Sequence, residues 1–174
     1  IIKKKRNDFF IISKAGYQYL SLPGILSPLN QIGKKILKGI RANKCFKKEY
    51  LLSSIEKSLK RLNIDYLDAF LLHDPLSEDF SHYKDECCEA LYLIKKKGLS
   101  KFIGISSRDH ASLNFAINNI NLDLIQTKMI FEKNNDQLFY EIKKKGYKLI
   151  VNSLFSQKTN NSLNTKIDQL LENF

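Results

Sequence analysis

The clearest pattern in the chain is a nearly continuous apolar run from Tyr66 to Leu72, interrupted only by Asp68. A strand with one face in water would alternate apolar and polar residues, whereas a strand covered on both faces is apolar throughout. The run therefore predicts a strand inside a parallel sheet. Because Pro75 cannot continue a central strand, we expect the strand to end near Leu72 or His73. His73 is then at the C-terminal end of the strand, where α/β proteins carry out their chemistry.

Shorter apolar runs recur at intervals along the chain. Four of them predict further strands, at Phe9–Ser13, Lys101–Ser107, Asp123–Thr127 and Tyr147–Asn152. Between the strands, apolar residues recur at helical spacing and predict helices at Lys48–Leu62, Tyr83–Lys97, Asp109–Asn118, Asp136–Lys145 and Ser162–Phe174. Strands that alternate with helices favour a parallel sheet in an α/β fold.

Three stretches are predicted to lie outside these elements. Lys3–Arg6 is expected to form a solvated basic turn, and Leu76–His82 is expected to form a loop. Tyr17–Asn43 holds three glycines and two prolines, so we expect a long connection there, with a helix near Leu29–Leu37.

Charge and composition narrow the functional classes. The chain has 174 residues, of which 43% are hydrophobic and 27% charged, as expected for one globular domain. The net charge of +11 is typical of nucleic-acid-binding proteins. However, the lysine clusters Lys95–Lys97 and Lys143–Lys145 each precede a glycine, which is ordinary chemistry for the C-terminus of a helix. We therefore expect no nucleic-acid partner.

Two further features bear on the setting of the protein. No apolar run approaches the roughly 20 residues of a membrane-spanning helix. The three cysteines form neither a disulfide framework nor a zinc-binding pattern, since Cys87 and Cys88 are adjacent and Cys45 is alone. The expectation is a protein without a membrane partner or a bound metal, in a reducing, cytoplasmic setting.

The window SLKRLNIDYLDAFLLHDP, residues 58–75, resembles the signature of the aldo-keto reductases. That signature is a helix ending in Ser-Leu-x-Arg-Leu, then Asp-Tyr-x-Asp, then a strand that leads to His-x-Pro. The matching residues are Ser58, Leu59, Arg61, Leu62, Asp65, Tyr66, Asp68, His73 and Pro75. The alternative is a generic strand–helix unit that holds a histidine by chance.

The resemblance implies a fold and an activity. The family is a (β/α)8 barrel, of the TIM-barrel type, whose members reduce carbonyl compounds with NADPH. The five strands counted in this chain resemble strands three to seven of that barrel. We therefore expect a partial barrel of about five parallel strands, in a single domain over residues 1–174, that acts on a small-molecule aldehyde or ketone.

Two residues match the catalytic machinery of the family. Ser13-Lys14-Ala15-Gly16 resembles the turn after the third barrel strand, where the family has a catalytic lysine, and His73 matches the catalytic histidine. Taken alone, Lys14 reads better as a surface lysine with a buried aliphatic stem. The resemblance favours a catalytic role, in which the lysine lowers the pKa of a proton-donating tyrosine and the histidine polarises the carbonyl.

Five positions match the side of the family site that binds the nicotinamide of NADPH. Gly104-Ile105-Ser106-Ser107 resembles a Gly-x-Ser-Asn strand end that holds the carboxamide, and Ser107 stands where Asn is usual. A turn hydroxyl with local partners is the alternative for Ser106 and Ser107. Gln126 matches the glutamine that binds the same amide. Asn152 and Ser153 lie where the family often has Tyr or Arg followed by Ser, so no aromatic partner for the nicotinamide is evident.

The first residue is Ile1, and the only methionine is Met129. We therefore expect the chain to be a piece of a longer reductase. In the family, the proton-donating tyrosine and the aspartate that pairs with the lysine belong to segments before strand three, so this chain alone is expected to be inactive. The first alternative is a truncated or divergent member without catalytic activity, which serves as a binding or regulatory module. The second is an unrelated α/β domain.

Overall fold

A computed structural model of the chain describes residues 3–18, 44–128 and 135–152. Its centre is a sheet of five strands, all parallel to their neighbours, in the order β1-β2-β3-β4-β5. The strands are β1 (Ile12–Ala15), β2 (Leu67–His73), β3 (Ser100–Ser106), β4 (Leu124–Lys128) and β5 (Lys148–Asn152). The predicted five-stranded parallel sheet is confirmed.

In the chain, one helix precedes each of the strands β2 to β5. These helices are α1 (Lys48–Leu62), α2 (Ser77–Lys96), α3 (His110–Asn119) and α4 (Asn135–Lys144). The ends of these helices follow local sequence signals. The side chain of Asp109 accepts a hydrogen bond from the Ser112 N–H at 2.9 Å, which caps the N-terminus of α3. Asn63 adopts a left-handed conformation (φ 52°) and ends α1.

The two faces of the sheet have different neighbours. Alternate residues such as Phe70, Leu72 and Ile105 belong to the large core that the strands share with the helices. The intervening residues form a second, smaller cluster on the other face, which consists of Ala69, Leu71 and Leu124 with Ile12, Phe102 and Ile150 around them. Because β2 is buried on both faces, its sequence is apolar without alternation.

The first strand differs from its prediction. β1 begins at Ile12 rather than Phe9, and the side chains of Phe9 and Phe10 are 47% and 56% exposed. The N–H of Ile11 donates to the carboxylate of Asp68 at 2.8 Å, whereas its carbonyl accepts the N–H of Ala69 of β2 at 3.2 Å. The paired residues of the two strands begin with Ile12, opposite Ala69.

Two predictions for the connecting stretches are wrong. Arg6 is not solvated, because its guanidinium donates to the carboxylate of Asp68 at 2.7 Å and its side chain is only 12% exposed. Leu76–His82 is not a loop, since α2 begins at Ser77. Asp79 accepts the N–H of Leu76 at 2.7 Å and so stabilises the first turn of that helix.

Some predictions lie outside the described residues, namely the helix near Leu29–Leu37 and the last helix at Ser162–Phe174. In the three described ranges, no helix is both long and apolar enough to cross a membrane.

Candidate active site

The residues predicted to form the site lie at or near the C-terminal ends of neighbouring strands of the sheet. His73 lies opposite Ser106, and Ser106 lies opposite Gln126, in one row across β2, β3 and β4. Lys14 lies opposite Leu71, two residues before His73. Residues in register or two apart point to the same side of a sheet. The four polar side chains therefore share one face, the one opposite the helices.

Lys14 lies at the edge of this row. Its ammonium group donates a hydrogen bond to the hydroxyl of Ser106 at 3.2 Å. Burial lowers the pKa of Lys14, and the negative charge of Asp74 opposes that effect. The hydrogen bond from its ammonium group to Ser106, together with the lowered pKa, favours a functional cation over a surface lysine with a buried stem.

His73 is half-buried and lies close to side chains of the segment that contains β1. The ring of Tyr17 meets the imidazole edge-on, with 5.1 Å between the ring centroids. Burial lowers the pKa of His73, and the positive charge of Lys14 lowers it further. The imidazole is therefore held toward its neutral form, in which one nitrogen still carries a proton that it can donate to an oxygen.

The turn after Lys14 requires a glycine because it packs tightly against His73. A Cβ atom at Gly16 would lie 2.8 Å from the carbonyl oxygen of His73 and 2.7 Å from the ring of Phe46. Only a residue without a side chain permits this approach. The Ser-Lys-x-Gly sequence thus fixes the distance between the end of β1 and the end of β2.

Gln126 offers a polar atom without a partner. Its Oε1 is buried and accepts no hydrogen bond within the described parts of the chain. A buried acceptor of this kind costs roughly 1–3 kcal/mol when it is left unpaired. The site therefore has an acceptor suited to a ligand with an N–H group, such as a primary amide.

Ser107 is placed differently from Ser106. Its hydroxyl donates to the carbonyl of Pro75 at 3.4 Å and accepts the N–H of Asp109 at 3.1 Å. Ser107 is almost completely buried. These contacts favour the alternative in which its hydroxyl stabilises the turn. Asn152 ends β5 and is half-buried, and Ser153 lies outside the described residues.

Sequence reasoning missed several residues that surround His73. Tyr17, Lys44 and Arg108 all contact Asp74, the residue that follows His73. Asp74 was next to an identified residue, and its left-handed φ of 53° was not visible in the sequence. In the part of the chain that the structure describes, no three His, Cys, Asp or Glu side chains cluster as a metal site would require.

Comparisons with known proteins agree with this geometry. A sequence profile of the aldo/keto reductase family matches residues 1–170. The chain belongs to the aldo/keto reductase family. It is 37% identical over 83 residues to methylglyoxal reductase DkgB of Salmonella typhi, an alignment that covers 48% of this chain and 31% of that protein.

Solved aldo/keto reductase structures share the fold. A holo form from Bacillus halodurans matches with a TM-score of 0.66 and 21% identity, over 91% of this chain and 49% of that one. A Klebsiella pneumoniae member in complex with NADP and acetate matches with a TM-score of 0.61 and 15% identity, over 97% and 54%. The chain thus spans about a third to a half of the length of these relatives.

Aldo/keto reductases use nicotinamide cofactors. The residues present fit the amide end of such a cofactor, because the unpaired Oε1 of Gln126 can accept an amide N–H. The hydroxyl of Ser106 lies beside it in register, with Lys14 as its hydrogen-bond donor.

Proposed function

We propose that this chain carries part of the active site of an NADPH-dependent carbonyl reductase. Lys14 and His73 are the catalytic residues, Ser106 and Gln126 contact the nicotinamide amide, and Asn152 and Ser153 border it. The observation that carries the proposal is the convergence of Lys14, His73 and Gln126 on one face at one end of the sheet. In this proposal Ser107 does not contact the cofactor, and its hydroxyl stabilises the turn beside these residues.

Each side chain has a distinct task. The cofactor supplies the hydride when it is bound. The neutral imidazole of His73 donates a hydrogen bond to the carbonyl oxygen and so orients the substrate. The ammonium group of Lys14 places positive charge where negative charge develops on that oxygen. By the family resemblance, the same charge lowers the pKa of the tyrosine that donates the proton.

The substrate class proposed is a small aldehyde or ketone. The relative from Salmonella typhi is named a methylglyoxal reductase, and a Pseudomonas relative that is 34% identical over 80 residues is named a D-threo-aldose 1-dehydrogenase. Both names denote oxidation or reduction at a carbonyl carbon of a small molecule. This supports carbonyl chemistry in the whole protein and leaves the individual substrate open.

The test is a kinetic one on the whole protein. NADPH oxidation is followed with methylglyoxal and with a panel of neutral aldehydes, in the wild type and in His73→Gln. We expect wild-type turnover, a large loss of kcat in His73→Gln, and little change in NADPH affinity. Absence of turnover on any aldehyde would instead support the second candidate, a divergent family member without catalytic activity that serves as a binding or regulatory module. That candidate is favoured by Ser107, which replaces the usual Asn and has its hydroxyl occupied.

A further inference from the structure

Asp74 occupies a place in the site to which no role has been assigned. It follows His73 directly and adopts a left-handed backbone conformation with φ of 53°. Its N–H donates to the carbonyl of Ser106 at 2.6 Å, and its own carbonyl accepts from the ammonium of Lys44 at 2.6 Å. Its carboxylate accepts the hydroxyl proton of Tyr17 at 3.2 Å. The N–H, the carbonyl and the carboxylate of Asp74 are thus all hydrogen-bonded to other segments.

A residue other than glycine rarely adopts this conformation without a reason. The left-handed region costs a residue with a side chain roughly 1–2 kcal/mol, although Asp and Asn tolerate it best. Such strain persists where surrounding contacts determine the backbone, and it concentrates at functional sites. At Asp74 the surrounding contacts are those to Ser106, Lys44 and Tyr17.

The charges around His73 come from several elements. Lys14 approaches from the end of β1, Lys44 from the segment before α1, and Arg108 from the segment after β3. All three are cations, and each disfavours a positive charge on the imidazole. The carboxylate that opposes them is that of Asp74, which also lies 3.7 Å from the guanidinium of Arg108. The same carboxylate acts on Lys14.

We infer that Asp74 is a positioning residue of this site, which anchors the turn that carries His73 and supplies the counter-charge to the cations that face the imidazole. Its contacts to Tyr17 and Lys44 hold the turn against the end of β1. Its charge opposes the lowering of the pKa of Lys14 by burial and so favours the cationic form that the proposed reaction needs. This role rests on the proposed function, whereas the measurement below requires no turnover.

The test is an NMR titration of the imidazole signals in the 174-residue chain. The three histidines report separately, and loss of a signal in His73→Gln assigns His73. Two variants remove the charge and tolerate the left-handed backbone, Asp74→Asn and Asp74→Gly. Both are expected to lower the pKa of His73, because the neighbouring cations are then unopposed. An unchanged or raised pKa of His73 in either variant would overturn the inference.

Two control variants separate charge from structure. Asp65→Asn removes the same charge at an exposed position just before β2, and we expect no effect on the pKa of His73. Tyr17→Phe removes only the hydroxyl that donates to Asp74, so the carboxylate remains and the pKa of His73 is expected to stay near that of the wild type. The assignment of the counter-charge to Asp74 would be refuted if the pKa of His73 fell as much in Tyr17→Phe, or in Asp65→Asn, as in Asp74→Asn.

Discussion

The two ends of strand β2 carry charged groups in opposite arrangements. Near its start, Asp68 accepts the guanidinium of Arg6 at 2.7 Å and lies 3.4 Å from the ammonium of Lys101. The N–H of Ile11 donates to the same carboxylate at 2.8 Å. Burial alone would raise the pKa of Asp68, but these three partners outweigh it and hold the pKa below its usual range. Both cations also lie over the ring of Tyr66.

At the other end of the strand, like charges converge. His73 faces Lys14, Lys44 and Arg108, and burial together with these cations keeps its pKa low. The cations around Asp68 stabilise its charged form, whereas those around His73 destabilise its charged form and favour the neutral imidazole. The start of the strand is therefore built for stability, and its end carries groups whose pKa values suit chemistry. This matches the general division of (β/α)8 barrels between their two faces.

The largest expected effect tests the end that is proposed to carry the chemistry. In the whole protein, Lys14→Met should lower kcat/KM for aldehyde reduction by about 10²–10⁴-fold, because the charge beside the reacting oxygen is lost. The free energy of unfolding should not fall, since the variant removes a half-buried cation. Steady-state kinetics and urea unfolding measure the two quantities. Lys57→Met, on the exposed side of α1, is the control, and unchanged turnover in Lys14→Met would refute the catalytic assignment.

The start of the strand should respond in the opposite way. Asp68→Asn leaves the Arg6 guanidinium buried without its carboxylate, so we expect the free energy of unfolding to fall by about 3 kcal/mol at neutral pH. Kinetic constants per folded molecule should stay close to those of the wild type. Urea unfolding followed by circular dichroism measures the loss. Asp65→Asn removes an exposed carboxylate three residues earlier and is the control. If it is equally destabilised, the buried Arg6–Asp68 pair contributes no more stability than an exposed carboxylate.

The sheet could be predicted because its signals are local. The unbroken apolar run of β2 and the helical spacing of α1 each lie within one stretch of chain, and parallel strands end at one edge. That geometry was enough to bring Lys14, His73 and Gln126 to one end of the sheet.

The contacts that the sequence did not reveal join distant positions. Arg6 and Asp68 are 62 residues apart, and Tyr17 and Asp74 are 57 apart, so no local pattern shows that either pair meets. For this reason the sequence predicted that the basic turn at Lys3–Arg6 would be solvated. The two hydroxyls after Ile105 are adjacent in sequence, and only the structure shows that Ser107 has turned to partners in its own loop.

A smaller effect is expected at the unpaired amide. Gln126→Met replaces the buried acceptor with an apolar side chain of similar length, so the free energy of unfolding should stay the same or rise by up to about 1 kcal/mol. In the whole protein, NADPH affinity should fall about 10-fold, which corresponds to the loss of one or two hydrogen bonds. Fluorescence titration measures the affinity. A destabilised variant with normal NADPH affinity would show that Gln126 serves the fold.

The smallest expected effect concerns the pH dependence of stability at the two ends. Both His73 and Asp68 have folded-state pKa values below their ordinary ones, so each contributes stability that is present above its ordinary pKa and is lost as pH falls through its folded-state pKa. The ordinary values are about 6.5 for His and about 3.9 for Asp, so the losses begin in different ranges. The free energy of unfolding should therefore fall in two steps as the protein is acidified.

Two variants should each reduce one step. His73→Gln should flatten the loss that begins below about pH 6.5, and Asp68→Asn should reduce the one that begins below about pH 3.9, to which Asp109 also contributes because its pKa is lowered too. Urea unfolding at closely spaced pH values measures both. His82→Gln, which removes an exposed imidazole from α2, is the matched control and should leave the upper step in place. If the upper step persists in His73→Gln, the convergence of cations on this imidazole has no energetic consequence, and the contrast between the two ends of β2 would rest on Asp68 alone.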